Sequence, residues 1–357
     1  MSESHGQSRP DRLAALLAEP GLDGLLVSDP VNLRYLTGFT GTNGVAVVGP
    51  EQRAFITDFR YVDQAEQQVR GFERIRGKQD LLGEAAERLS GRIGFDDANV
   101  SVRTHARLRE LVGEGVELVP AGGLVEGLRA VKDAGEIQAV REAAEMADDV
   151  YEHLVGQGLV GRTEREVAGE LEAFMRERGE GPSFPTIVAG GAHGALPHAS
   201  PRLEPIEPGT LVIVDLGCLL DGYCSDCTRT FATGPLGDEA AGVYELVLAA
   251  QRAALEAVRA GVPGAAVDAV ARELIAEAGH GERFGHGLGH GVGLEIHEGP
   301  RVSPTSEDEL AAGNVVTVEP GVYVSGAFGV RIEDLVVVTD DGCEILGGFT
   351  KELVTVE

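Results

Sequence analysis

Along the first third of the chain, from about residue 12 to residue 120, short apolar runs alternate with amphipathic stretches. Short apolar runs at 24–27, 45–48, 54–57, 92–95 and 116–119 predict strands, and helical periods at 61–69, 81–89 and 105–111 predict helices between them. Strands interleaved with helices predict an α/β domain. Nothing in this stretch pairs His, Cys or acidic residues at a spacing that suggests chemistry, so a packing, dimerisation or substrate-access role is expected of it.

The pattern changes after Ala121-Gly122-Gly123, where longer helical periods begin. Two domains are expected, residues 1–122 and 123–357. Asp133 with Glu136, and Thr163 with Glu166, have the spacing of a capping box, so each pair opens a helix; the first should run to about Leu154 and the second should end at Gly179. An internal echo recurs at an offset of 100 residues, with Gly161/Gly261, Val167/Val267, Glu177/Glu277, Gly179/Gly279, Gly181/Gly281 and Phe184/Phe284 identical. Each copy leads into a strand-rich segment carrying two isolated acids. The second domain therefore reads as a duplicated helix-plus-hairpin unit whose copies can face each other across one site.

Charge narrows the partners. The 357 residues hold 58 Asp+Glu against 30 Lys+Arg, a formal charge of −28, which argues against nucleic acid or an anionic membrane, since both are bound through clustered Lys and Arg. With 43% hydrophobic and 25% charged residues, the chain is globular rather than a disordered acidic polymer. Four cysteines are too few for a disulfide framework, residues 1–11 lack the apolar centre of a secretory signal, and no run approaches the roughly 18 apolar residues of a membrane helix. A cytoplasmic protein with reduced thiols is expected.

Four acids are out of place on apolar strands. Asp215 follows Leu211-Val-Ile-Val, and Asp226 lies in Gly222-Tyr-Cys-Ser-Asp-Cys-Thr-Arg-Thr-Phe231, with Asp221-Gly222 as a turn signal between them. A hairpin with an even loop centred between Leu220 and Asp221 would set the two Asp opposite each other, Cβ atoms about 4.5–5.5 Å apart. Like charges that close repel, and the apolar strand would bury one of them; a bound cation removes both penalties. Glu319, in Val315-Val-Thr-Val-Glu-Pro-Gly321, and Glu333, in Val330-Arg-Ile-Glu-Asp334, form a second pair, with a turn signal at Ser325-Gly326. Pro320 cannot donate to a ladder and predicts a bulge or strand end after Glu319.

Histidines join them. Gly285-His-Gly-Leu-Gly-His-Gly-Val-Gly-Leu-Glu-Ile-His-Glu298 sets His286, His290 and His297 among glycines that allow close backbone approach, and Leu196-Pro-His-Ala-Ser200 adds His198. Taken singly, a strand Asp or a loop His is more often a hydrogen-bonded structural residue; four acids on four apolar strands with a Gly/His run between them point to a metal. Four carboxylates and one imidazole suit hard or borderline divalent ions such as Mn²⁺, with Co²⁺ or Zn²⁺ as alternatives, and four negative ligands balance two dications. Two such ions polarise a carbonyl and lower the pKa of a shared water, so metal-assisted hydrolysis is the expected chemistry.

Other motifs fall short. Cys224-Ser-Asp-Cys227 has no second C-x-x-C, and its thiols are expected on opposite faces of a strand. His297-Glu298 begins an H-E-x-x-H, but Arg301 stands where the second His is required. The run Gly287–Gly293 loosely resembles a phosphate loop without the G-K-[ST] that should follow, and no G-x-S-x-G elbow supports a serine hydrolase.

Together Ser183-Phe-Pro-Thr-Ile-Val-Ala189, Pro197-His198, Asp215-Leu-Gly, Tyr223-Cys-Ser-Asp-Cys-Thr-Arg-Thr-Phe231, the 286–298 run, Val318-Glu-Pro-Gly-Val-Tyr323 and Val330-Arg-Ile-Glu-Asp334 resemble the metal-dependent Xaa-Pro peptidases of the creatinase/methionine-aminopeptidase superfamily. Asn32-Leu-Arg-Tyr-Leu-Thr-Gly-Phe39 and Phe55-Ile-Thr-Asp-Phe-Arg-Tyr61 are similar to the N-terminal domain of its short members. The resemblance implies a creatinase-like α/β N-terminal domain and an α+β "pita-bread" catalytic domain with an internal pseudo-two-fold repeat. It implies two divalent ions on Asp215, Asp226, His290, Glu319 and Glu333, with Asp226 and Glu333 bridging, Asp215 on one ion, and His290 with Glu319 on the other. Glu319 would also act as general base. His198 and His297 would bind the scissile carbonyl and stabilise the tetrahedral intermediate, His286 would line the substrate pocket, and Arg331 would orient a ligand carboxylate. An Xaa-Pro aminopeptidase is the first reading and an Xaa-Pro dipeptidase the alternative, with a homodimer implied. A methionine aminopeptidase would share the ligands but generally lacks the α/β domain, and a non-catalytic relative would be expected to have lost ligands.

Overall fold

The computed structural model describes residues 7–357, which divide into two compact units between Arg129 and Ala130. Among the described residues, the first unit has a mixed six-stranded sheet in the order Glu73–Arg76, Arg53–Thr57, Gly44–Val48, Gly24–Val27, Gly91–Phe95, Val116–Pro120. The expected strands are all present. The Glu73–Arg76 strand is an addition: it lies at the sheet edge with three of its four residues exposed, so it carries no apolar run to betray it. The Val102–Leu111 helix starts earlier than its apolar period because Ser101 caps it, accepting from Thr104 N.

The second unit is built twice over. Both expected capping boxes form, Asp133 opening Ala134–Gln157 and Thr163 opening Glu164–Arg178, which ends at Gly179. The partner helices are Asp238–Ala257 and Gly264–Glu277. Each helix pair leads into three antiparallel strands joined in the same order: Ile187–Gly190, Leu211–Leu216, Cys227–Ala232 in one half and Gly289–Gly291, Val315–Val318, Asp334–Val338 in the other. Tyr151, Val188, Val212 and Phe231 pack the first half's core, and Tyr244, Phe284, Val316 and Val336 the second's. Among the described residues no helix is long and apolar enough to cross a membrane.

One expected register is corrected. Asp215 pairs with Thr228, not Asp226, and the turn is closed by Leu220↔Tyr223. Asp221 and Gly222 are its two central residues, with φ 47° and 75°. Positive φ at both is what a two-residue hairpin twisted like its strands requires, and that centre lies one residue beyond the one assumed from sequence. Asp226, two residues before Thr228, stays near Asp215 diagonally rather than directly across.

Candidate metal centre

Each half supplies acids where a hairpin breaks. In the first, pairing stops at Leu216↔Cys227 and resumes at Leu219↔Cys224, leaving Asp226 in the gap. Ser225 fixes the irregularity, its Oγ accepting from Cys218 N and donating to Ala143 O, both at 2.9 Å. In the second, Val315–Val318 with Asp334–Val338 and Gly321–Val324 with Phe328–Arg331 keep one register on either side of a gap. Glu319 and Glu333 hold the facing positions in that gap, with Pro320 ending the strand as expected. The two breaks meet: Glu333 N donates to Thr228 O at 3.2 Å and Thr230 Oγ1 to Arg331 O at 2.8 Å.

His290 enters on the short strand Gly289–Gly291. A Cβ at Gly289 would stand 2.0 Å from Thr317 O and one at Gly291 2.1 Å from Gly299 O, so glycine on both sides is what admits the strand. Nδ1 of His290 donates to Gly291 O at 3.0 Å, because a carbonyl can only accept. Nε2 therefore presents its lone pair to the acids, 3.4 Å from Glu319 Oε1 and 3.6 Å from Asp226 Oδ2.

The electrostatics are unfavourable for an empty cluster of protein groups. Asp215, Asp226 and Glu333 are buried and offer oxygens all within 4.8 Å of one another. Arg331 Nη2 donates to Asp215 Oδ2 at 2.6 Å, Thr228 Oγ1 to Glu333 Oε2 at 2.7 Å, and Thr317 Oγ1 to Glu319 Oε1 at 3.1 Å. Asp215 Oδ1 and Glu333 Oε1 are left buried with no hydrogen-bond partner. Burial, then Glu333, Asp215 and Glu319, drive the Asp226 carboxyl far above the usual range; burial, then Glu319 and Asp215, do the same to Glu333, and burial pushes Glu319 up to about 7. Burial also pushes His290 down to about 4, which keeps its imidazole neutral. Orphaned carboxylate oxygens, mutual repulsion and a neutral Nε2 aimed inward form a donor set that a divalent cation satisfies.

The profile of Metallopeptidase family M24 matches residues 138–340, more than half of the chain, and that of the Creatinase/Prolidase N-terminal domain matches residues 9–131. The chain belongs to metallopeptidase family M24. Among similar M24 proteins, the uncharacterized peptidase YqhT of Bacillus subtilis is 41% identical over 96% of this chain and 99% of its own. An Xaa-Pro dipeptidase of Pyrococcus furiosus is 34% identical over 98% and 100%. Of solved structures, an Xaa-Pro dipeptidase from Bacillus anthracis superposes with a TM-score of 0.95 at 40% identity, covering 98% of this chain and 99% of that one. An X-Pro aminopeptidase from Thermotoga maritima gives 0.90 at 37%, covering 97% and 100%. The pita-bread fold and the creatinase-type N-terminal domain expected from the motifs are thus those of this M24 metallopeptidase, and with them a dependence on divalent metal.

Over the acids opens a cavity of about 730 Å³ whose wall includes His198, His286, His297 and Arg301. The His297 ring stands edge-on to that of His290, centroids 4.4 Å apart. His286 is tied in: Arg331 Nη1 donates to Tyr323 OH at 2.9 Å, and that hydroxyl donates to His286 Nε2 at 2.9 Å. Every site residue singled out from the sequence lies in this M24 centre or on its cavity wall. Tyr323, Thr228, Thr317 and Arg301 were missed. Thr228 and Thr317 each lie two residues from a candidate ligand, the same-face spacing of a strand, and could have been found. Arg301 had registered only as the residue that spoils H-E-x-x-H. The C-x-x-C thiols are both free, burial pushing Cys224 up to about 12 and Cys227 higher still.

Proposed function

We propose that the protein hydrolyses the bond between an N-terminal residue and a following proline, at a centre of two divalent ions, and that its substrate is the Xaa-Pro dipeptide. The five-residue donor set beneath a cavity walled by histidines supports the reaction, and similarity over the whole chain to proteins named Xaa-Pro dipeptidase supports the bond. Arg301 carries the choice of dipeptide. It lines the cavity wall, its charge adds to the burial that depresses His290 and His297, and its backbone is pinned by Asp308 and Ser306. A cationic side chain carried there suits the carboxylate that a dipeptide has directly on its proline. The aminopeptidase reading keeps one observation in its favour, the likeness to the Thermotoga maritima structure.

In this reading Asp215, Asp226, His290, Glu319 and Glu333 would hold the two ions between them. Manganese is the preferred metal for so oxygen-rich a set, with cobalt or zinc as alternatives. When bound, the ions polarise the scissile carbonyl and lower the pKa of water. Glu319 would accept the proton of the attacking water. His297, held neutral by burial and then by Arg301, and His198 donate from the cavity wall to the carbonyl oxygen as it gains charge. Arg331 fixes the Asp215 carboxylate and, through Tyr323, the His286 ring. A cytoplasmic location and a homodimer complete the proposal; light scattering of the purified protein tests the latter.

The test is an assay with added Mn²⁺ or Co²⁺ on an Xaa-Pro dipeptide, an Xaa-Pro-Yaa tripeptide and a Met-Ala-Yaa tripeptide. Fastest cleavage of the dipeptide is expected. Fastest cleavage of the Xaa-Pro tripeptide selects the aminopeptidase reading, and cleavage of the Met-Ala tripeptide alone overturns the assignment.

A further inference from the structure

The loop carrying His198 has little apolar anchorage. Of residues 196–203 Ala199 alone is buried, while Leu196 and Leu203 are 57% and 67% exposed. Hydrophobic packing therefore does not set where His198 points. Polar contacts at three places do, and two of them converge on one carboxylate.

That carboxylate belongs to Glu164, the first residue of the Glu164–Arg178 helix and only 1% exposed. Before the loop, its Oε1 accepts from Gly190 N at 3.0 Å and its Oε2 from His193 Nδ1 at 2.8 Å. After the loop, it accepts from Arg202 N at 2.9 Å, Nε at 3.2 Å and Nη2 at 3.0 Å. Both ends of the segment are thus stapled to one side chain. The third contact is Arg331 Nη1 donating to Pro197 O at 3.1 Å, beside His198 itself. Helix capping does not require this arrangement: Thr163 and Glu166 already form the capping box.

The other half carries a related device. Asp268, also 1% exposed and one turn into the Gly264–Glu277 helix, accepts from Leu288 N at 3.0 Å and binds Arg272 through two hydrogen bonds of 2.7 and 2.8 Å. Arg272 donates in turn to Phe284 O at 2.8 Å and His286 O at 2.7 Å. In both halves a buried acid near the start of the second helix fixes, with an arginine, the backbone that carries a cavity-wall histidine, and neither acid faces the metal centre.

From this we infer that Glu164 is a positioning residue for catalysis: with Arg202 and His193 it holds the 190–202 loop so that His198 faces the scissile bond, and it acts through His198 rather than through the metal. The inference rests on His198 being substrate-facing. Its test is a double-mutant cycle of Glu164→Gln with His198→Ala on the metal-loaded enzyme, with metal content and thermal unfolding measured alongside. Glu164→Gln alone should keep the wild-type metal content and lower kcat/KM about tenfold or more, and in the His198→Ala background it should change kcat/KM less than about twofold. Multiplying losses, or a loss of metal in Glu164→Gln, overturn the inference. If Glu164→Gln does not fold, Arg202→Met, on a side chain 42% exposed, takes its place in the same cycle and is read in the same way. Full activity of His198→Ala would instead overturn the reading of His198 on which the inference rests.

Discussion

Glu164 and Glu333 lie in the same unit, and each is 1% exposed. Their surroundings are opposite. Glu164 accepts five hydrogen bonds, from Arg202, His193 and Gly190, and although burial raises its carboxyl, those donors outweigh it and hold the group below its ordinary value. Glu333 accepts from Thr228 on one oxygen, keeps the other buried without a partner, faces three further carboxylates and is driven far upward. Burial is therefore not what distinguishes a proposed ligand from a structural acid. Unused acceptor capacity among like charges is: a satisfied carboxylate holds a loop, and an unsatisfied one awaits a cation.

The largest effects would break that comparison outright. Glu333→Gln should lose metal and lower activity at least about a thousandfold, yet the metal-free protein should unfold at a higher temperature because a buried repulsion is gone. Glu164→Gln should do the reverse, keeping metal while destabilising the metal-free protein by about 1–3 kcal/mol. Thermal unfolding of both variants without metal checks the signs; shifts in the same direction would mean the two acids do not differ in kind. Next comes His297→Ala, which should retain both ions and lose about a hundredfold in kcat. Full activity would remove His297 from its assigned role.

The pH dependence sharpens the contrast. Between the ordinary Glu value of 4.5 and about 7 the folded metal-free protein holds a proton on Glu319 that the unfolded chain has lost. Its stability should therefore fall as pH rises through that window, and metal affinity should rise over the same range as ion and proton compete. Glu164 works with the opposite sign: its contribution is present above the ordinary value and is lost as pH falls through its depressed one. Urea unfolding from pH 4.5 to 7.5 should show a decline that Glu319→Gln reduces and Glu164→Gln does not. The smallest effect concerns the thiols. With Cys224 pushed up to about 12 by burial and Cys227 higher, iodoacetamide at neutral pH should leave activity within about twofold. Rapid inactivation would show that the strand around Asp226 opens.

Much of this was legible in the sequence because the proposed metal ligands violate local rules. Acids interrupting Leu211-Val-Ile-Val and Val315-Val-Thr-Val stand out against the strand pattern, and the capping boxes at Asp133 and Thr163 mark helices by local chemistry alone. The Asp215–Asp226 register was misjudged by one residue because the backbone conformation of Asp221, not the apolar pattern, sets the turn. Glu164 was invisible for a different reason. Its partners lie 26 to 38 residues away, and an acid in the first turn of a helix is what any capped helix carries. Arg301 was overlooked because its meaning depends on the cavity it lines.

The most direct measurement is a calorimetric titration of the metal-free protein with Mn²⁺ near pH 6 and near pH 7.5, in buffers of differing ionisation enthalpy. Saturation at two ions per chain is predicted, with net proton release that is larger at the lower pH and binding that collapses in Asp226→Asn. Absence of saturable binding, or binding unaltered in Asp226→Asn, would contradict the assignment of the buried carboxylates as the metal centre.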